Sequence, residues 1–143
     1  MVVYRDASAL VPLYTPEQNS DAIERYILTA DKVALSDLTI AEAQNAIIRK
    51  GRRGLLTPVD VSQGLADIDR HVAEQRYQRL AVERRHFLHA VMLSRSAPVH
   101  LRTLDALHLA LALDSGVAEM ATDDADLITA ARAAGLDVFT ATP

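Results

Sequence analysis

The 143-residue chain contains no cysteine, so disulfide bridges, a thiolate nucleophile and cysteine zinc sites are all excluded. Any metal it binds must be held by oxygen or imidazole. It also lacks an apolar run long enough for a membrane span, and its opening Met1-Val2-Val3-Tyr4-Arg5-Asp6 places charge where a secretory segment would stay hydrophobic. These absences predict a cytoplasmic chain with no membrane partner. No internal repeat, low-complexity tract or linker interrupts the sequence, half of which is apolar. One domain over residues 1–143, long enough to bury a real core, is expected.

Net positive charge is missing too, since the formal charge is -4 at pH 7. For a protein that handles nucleic acid this balance looks unfavourable, because a basic surface usually supplies the binding energy. The distribution matters more than the sum. Lys32 and Lys50 are the only lysines, and the other thirteen basic residues are arginine. They concentrate in Arg49-Lys50-Gly51-Arg52-Arg53 and again through Arg70, Arg76, Arg79, Arg84 and Arg85, while acids dominate Asp114 to Asp126. Arginine binds phosphate bidentately and stacks on bases, so Arg49, Arg52 and Arg53 are the candidate nucleic-acid contact, against the plainer reading of a solvated helix face. Tyr14, Tyr26 and Tyr77 show no interleaving with basic residues and are assigned to packing.

Hydrophobic patterning predicts alternating strands and helices. Val2 to Arg5 reads as a buried strand ending at Asp6, followed by a helical segment through Leu13 that Pro12 and Pro16 limit. Asn19 or Ser20 caps a helix to about Ala30, Lys32 to Leu35 is a strand, and Ser36 or Asp37 caps the next helix. That helix sets Ile40, Ala43, Ala46 and Ile47 on one face and Glu42, Asn45, Arg49 and Arg52 on another, with Gly51 and Gly54 as its stop. Thr57-Pro58 starts a helix to about Gln75, Tyr77 to Val82 reads as an edge strand, and Glu83 to Ser94 is helical. Thr103 is expected to cap a helix so apolar on every side, Leu104 to Leu113, that it must be buried. After Gly116 come a strand at Val117 to Ala121, a helix at Leu127 to Ala134 and a last strand at Asp137 to Thr140. Such alternation implies an α/β domain, a parallel sheet covered by helices on both faces. Ligands of these sheets bind at the carboxyl ends of the strands.

Four carboxylates recur at element ends: Asp6, Glu42, Asp105 and Asp124. If the fold brings them together they demand a divalent cation, because like charges about 4 Å apart repel by roughly 4 kcal/mol at an effective dielectric near 20. Mg²⁺ or Mn²⁺ suits hard oxygen ligands, and its retained waters supply a nucleophile for phosphodiester hydrolysis. Ser8, Thr103 and Thr122 carry hydroxyls beside these acids, placed to fix carboxylate rotamers or to contact phosphate, with helix capping as the alternative for Thr103. Each acid singly has a plainer explanation as a cap, an exposed helix residue or a partner of the helix dipole. His86 and His89 stand at helical spacing but have no neighbour in the acidic blocks, so they read as surface or packing residues. His108, three residues after Asp105, reads as a core histidine with a bond to Asp105 open to it.

Asp6-Ala7-Ser8-Ala9-Leu10, Glu42, Arg102-Thr103-Leu104-Asp105-Ala106-Leu107-His108-Leu109-Ala110 and Thr122-Asp123-Asp124 together resemble the PIN-domain ribonucleases, most closely the VapC-type toxins. The resemblance covers essentially the whole chain, and the block around Asp105 is its most specific part. It implies a three-layer α/β/α fold with a central parallel sheet of four to five strands. It further implies a Mg²⁺- or Mn²⁺-dependent endoribonuclease acting on structured RNA of the tRNA or rRNA class, a cognate antitoxin and a homodimer. Asp6, Glu42 and Asp105 match the first three acids of the family and Asp124 the fourth, with Asp123 and Asp126 competing for that place. Aspartyl-phosphate phosphatases would need an acid at Ser8, and a phosphorylation receiver would need a lysine late in the chain. The alternatives left open are a silent module holding a basic partner segment and a PIN-type DNA nuclease.

Overall fold

The structure, a computed structural model, describes residues 2–16 and 32–140. The helix expected between Asn19 or Ser20 and Ala30 lies outside these residues. Five strands, β1 (Val2–Arg5), β2 (Lys32–Ser36), β3 (Gln78–Leu80), β4 (Glu119–Ala121) and β5 (Asp137–Phe139), form one parallel sheet in the order β3-β2-β1-β4-β5. Tyr4 of β1 pairs with Ala34 on one side and with Met120 on the other. Six helices are seen among the described residues: α1 (Ala7–Leu10), α2 (Asp37–Arg52), α3 (Pro58–Ala73), α4 (Arg84–Ser96), α5 (Thr103–Asp114) and α6 (Ala125–Ala133). This is the three-layer α/β/α arrangement expected, with five strands.

Strand periodicity distributes the core. Val33 and Leu35 pack with Leu10, Ala43, Ile47 and Ile68 under α2 and α3, whereas Tyr4, Ala34 and Met120 pack with Leu107, Leu111 and Leu127 under α5 and α6. Adjacent strand residues thus serve opposite layers, as a sheet covered on both faces requires. α5 is buried continuously from Ala106 to Ala112, the state its all-round apolar sequence demanded. No helix among the described residues is long and apolar enough to cross a membrane.

Element ends follow local chemistry. Ser36 Oγ accepts from the Thr39 N–H at the start of α2, and Thr57 and Asp60 form a reciprocal capping box at the start of α3. Several boundaries differ from expectation. Gly51 lies inside α2, and Gly54, at φ +72°, makes the reversal after it. The strands expected at Tyr77–Val82 and Val117–Ala121 shorten to three paired residues each. α6 begins two residues early because Asp124, not a later residue, caps it. Finally, Arg102 rather than Thr103 holds the cap position of α5, and no side chain caps that helix.

The chain runs outward from β1 through β2 to β3 and then returns to lay β4 against the other side of β1. The strand order therefore reverses between β1 and β4, and a crevice opens at the carboxyl ends of those two strands. Asp6 leaves β1 at that point, and Thr122, Asp123 and Asp124 leave β4 beside it.

Candidate active site

A cavity of about 580 Å³ opens at this crevice, and Asp6, Glu42, Asp105 and Asp124 all line it. Each acid comes from a different element: the exit of β1, the second turn of α2, the first turn of α5 and the cap of α6. Asp123 turns elsewhere. Its carboxylate accepts from the Thr140 hydroxyl at 2.6 Å, and neither it nor Asp126 lines the cavity. Of these three neighbouring acids, Asp124 is the one that lines the cavity.

Asp6 is 4% exposed and densely bonded. Its Oδ1 accepts from the Ser8 hydroxyl at 2.7 Å and the Ala9 N–H at 3.2 Å, while Oδ2 accepts from the Thr122 hydroxyl at 2.6 Å. Ser8 Oγ in turn accepts from the Asp123 N–H at 2.9 Å, and Thr122 Oγ1 from the Asp124 N–H at 3.1 Å. Ser8 and Thr122 thus lock the carboxylate rotamer and tie the exits of β1 and β4 together. Burial still pushes the Asp6 carboxyl above the usual range, against the pull of these donors.

Asp105 and Asp124 share a different partner. Arg102 donates from Nε to Asp105 Oδ2 at 3.0 Å and from Nη2 to Asp124 Oδ2 at 3.1 Å, so one guanidinium spans both acids. Asp124 Oδ1 meanwhile accepts the Leu127 N–H at 2.9 Å as cap of α6. Burial raises the Asp105 carboxyl above its ordinary pKa, with the charge of Asp124 adding to the shift and Arg102 opposing it. Asp124 thus caps α6 through Oδ1 while its Oδ2 meets Arg102 at the cavity.

Glu42 Oε1 meets His108 Nε2 at 2.5 Å, and His108 Nδ1 meets the Tyr4 hydroxyl at 2.7 Å. The bond open from His108 to Asp105 is not made. A three-residue step along α5 directs the imidazole down towards β1 and α2, so it finds Glu42 instead. Tyr4 is fully buried, and that burial holds its phenol pKa far above the usual value.

Thr103 does not join the acids. It is exposed and lines a separate apolar groove with Phe87, Val91 and Leu107 on the far side of α5. Arg49 lines the acid cavity, but Arg52 and Arg53, at and just past the end of α2, do not. Lys50 and Asn45 stand in the cavity wall with Arg49. Lys50 was missed because helical spacing from Glu42 selects residues 45, 46 and 49, while the cavity curves round to the adjacent position. His86 and His89 do meet a carboxylate, Asp114 at the end of α5, at 3.8 and 2.8 Å. That cluster joins α4 to α5 at a distance in sequence no spacing rule covers.

Among the described residues, no three acid or imidazole groups lie close enough to ligate a single ion. The donor set nevertheless suits a hard cation of the Mg²⁺ type, which binds through one or two carboxylates and completes its shell with water and substrate phosphate. Arg102 already supplies positive charge between two of the acids, which is the electrostatic role such an ion would assume.

Comparison with known proteins bears on the family and the fold. The PIN domain model matches residues 3–133. Ribonuclease VapC46 of Mycobacterium tuberculosis is 33% identical over 139 residues, 96% of this chain and 95% of that protein. The solved structure of VapC20 from Mycobacterium tuberculosis, described as a sarcin-ricin loop cleaving toxin, superposes with a TM-score of 0.71 at 16% identity, covering 94% of this chain and 95% of its own. VapBC2 of Rickettsia felis, bound to a DNA fragment from its promoter, gives 0.68 at 12% identity over 98% of both chains. At these identities the two structural likenesses speak for the fold.

Proposed function

The chain belongs to the PIN-domain family and, along nearly its whole length, to its VapC ribonucleases, and from that membership we propose that it is an endoribonuclease, the toxin of a toxin–antitoxin pair. Its substrate is structured RNA of the tRNA or rRNA class, and its cofactor is Mg²⁺ or Mn²⁺. The observation that carries this reading is the meeting of four carboxylates, distant in sequence, on one cavity at the β1–β4 crevice. Asp6 and Asp105 are assigned to hold the cation, with Glu42 and Asp124 orienting water around it or completing a second position. A bound cation of this kind neutralises phosphate charge and lowers the pKa of a coordinated water.

The chain's own groups supply the rest. Ser8, Thr122 and the Ala9 N–H keep Asp6 in one rotamer, so no reorganisation is needed when substrate arrives. Arg102, held by two carboxylates and 74% exposed, is free to pivot towards a phosphate oxygen. Arg49 and Lys50 line the wall along which an RNA backbone would lie, with Arg52 and Arg53 beyond it as outer contacts. The antitoxin is assigned an arginine that competes for the acids, since a guanidinium already fits between Asp105 and Asp124. The homodimer is assigned to α4, where Phe87, Leu88, Val91 and Met92 are each at least half exposed. A single cytoplasmic domain over residues 1–143 completes the reading.

The test is to map new RNA 5′ ends after brief expression, and to incubate purified protein with Mn²⁺ and total cellular RNA. Discrete cuts that vanish with Asp105→Asn are expected. An RNA pool left intact would overturn the enzyme reading in favour of a silent binding module, and breaks in genomic DNA would replace ribonuclease with deoxyribonuclease.

A further inference from the structure

Building on the reading of Glu42 as an acid of the site, we propose that Tyr4 and His108 are its positioning residues, a buried pair that keeps a hydrogen on His108 Nε2 aimed at the Glu42 carboxylate. The argument is one of counting donors. Thr39 Oγ1 donates its only hydrogen to the Arg5 carbonyl at 2.9 Å. Ser36 Oγ accepts the Thr39 N–H at 3.1 Å, and its own hydrogen is available to the Tyr4 oxygen at 2.9 Å. Tyr4 Oη has one hydrogen, and of its three contacts, Ser36 Oγ at 2.9 Å, Thr39 Oγ1 at 3.2 Å and His108 Nδ1 at 2.7 Å, the last is the shortest. Given to Nδ1, that hydrogen makes Nδ1 the acceptor and leaves the imidazole hydrogen on Nε2, facing Glu42 Oε1 at 2.5 Å.

The other assignments converge on the same atom. A doubly protonated ring, with Tyr4 accepting from Nδ1, also carries hydrogen on Nε2. A neutral ring with its hydrogen on Nδ1 would press the Nε2 lone pair against an ionised carboxylate, where acceptor meets acceptor. With Glu42 ionised, every acceptable arrangement therefore presents Nε2–H to it. Tyr4 enforces this from a fully buried position on β1, two residues before Asp6, and His108 stands three residues after Asp105 on α5. The two elements that place the first and third acids thus also aim the second, from one layer deeper. Glu42 needs such a guide, because it stands on a helix with a long side chain that is 30% exposed. A fixed carboxylate meets substrate without searching its rotamers.

The experiment separates this pair from the ribonuclease reading. On ¹⁵N-histidine-labelled, metal-free protein without RNA, one-bond ¹H–¹⁵N coupling is expected at His108 Nε2, and Tyr4→Phe, which keeps the ring but removes the donor to Nδ1, is expected to shift the Nδ1 resonance; an unmoved Nδ1 resonance overturns the role of Tyr4. A wild-type Nε2 without hydrogen overturns the inference whatever the activity. In cleavage assays, Tyr4→Phe and His108→Asn are expected to lower kcat about 10- to 100-fold with little change in KM, in the range found for partners of metal-binding carboxylates and imidazoles. His108→Gln, whose amide nitrogen reaches further than that of Asn and takes the place of Nε2, is expected to restore most of the loss. Equal losses for Asn and Gln at matched thermal stability overturn positioning and leave a packing role, while loss of cleavage in Asp105→Asn keeps the ribonuclease reading. If wild-type protein cuts no RNA, the ribonuclease reading falls alone, and Mn²⁺ titration judges the pair: weaker binding in His108→Asn than in His108→Gln supports it, and equal binding overturns it.

Discussion

Asp6, almost wholly buried, is held by two hydroxyls and a backbone N–H, whereas Asp105 and Asp124 share a single arginine that is itself mostly exposed. Both halves of the cavity thus keep carboxylate charge in a confined space, by different means. The donors around Asp6 are short hydroxyl side chains and a backbone N–H at the exits of β1 and β4. The donor between Asp105 and Asp124 can swing away on a flexible stem. One half is a buried carboxyl under donors close to the main chain, and the other is a pair of charges under a removable counter-ion. The half with the removable counter-ion is where a cation, a phosphate or a partner's arginine would exchange places with Arg102.

The most drastic way to break the comparison is Asp6→Asn. Cleavage is expected to fall about a thousandfold or more, since each tenfold corresponds to about 1.4 kcal/mol and a carboxylate at the metal contributes several such steps. In chelator the same variant is expected to melt at a higher temperature than wild type, because it removes a buried charge while Asn keeps the cap and the hydroxyls reorient. A lower melting temperature in chelator would mean that Asp6 serves mainly to hold the strand exits together.

Arg102→Gln tests the other half. Losing the shared guanidinium is expected to lower the metal-free melting temperature and to tighten Mn²⁺ binding about fivefold, the scale of one water-screened charge at contact distance. Both effects should shrink at high salt because Arg102 is exposed, whereas the stability gained in Asp6→Asn should persist. Unchanged Mn²⁺ affinity would show that Arg102 and the cation do not compete.

The two halves should also act together in a pH titration. Asp6 and Asp105 have folded-state pKa values raised by burial, so the native chain holds protons that the unfolded chain has already released. Metal-free stability is therefore expected to fall as pH rises from about 4, the ordinary aspartate value, through the raised native values. Mn²⁺ should restore it, and Asp6→Asn should flatten part of the slope. A melting temperature that climbs across this window would contradict the direction of both shifts.

The smallest effects belong to the basic wall. Arg49→Gln and Arg53→Gln should each reduce the salt dependence of RNA binding by roughly 0.7 in log–log slope, the value for one phosphate contact on a single strand. Arg49 lines the cavity and Arg53 does not, so only the first should also lower kcat. Equal kinetic effects would place the RNA path outside the cavity.

Much of this is legible in the sequence. Asp6, Ser8, Asp105, Thr122 and Asp124 stand at ends of elements whose hydrophobic periods are clear, and the carboxyl rim of a parallel sheet is where such ends meet. A threonine before a helix looks like a cap, yet the helix starts one residue earlier and Thr103 lines the groove beside Phe87 instead. Lys50 belongs to the basic run but not to the Glu42 helical stripe, because helical spacing does not describe how a cavity wall curves across neighbouring positions. Asp114 beneath His86 and His89, and Glu42 beneath His108, are contacts between separate elements, for which local spacing carries no signal.

The order of hydrophobic and polar residues sufficed for the strands, the helices, the parallel sheet and the kind of side chain at each strand exit, because these depend on short-range periods of two and 3.6. Which oxygen is bonded by which donor was settled only by the packing of helices onto the sheet. Tyr4 reaches His108 across 104 residues, and Thr122 reaches Asp6 across 116. A hydrogen bond is decided over a few tenths of an ångström, a precision that only the assembled layers supply.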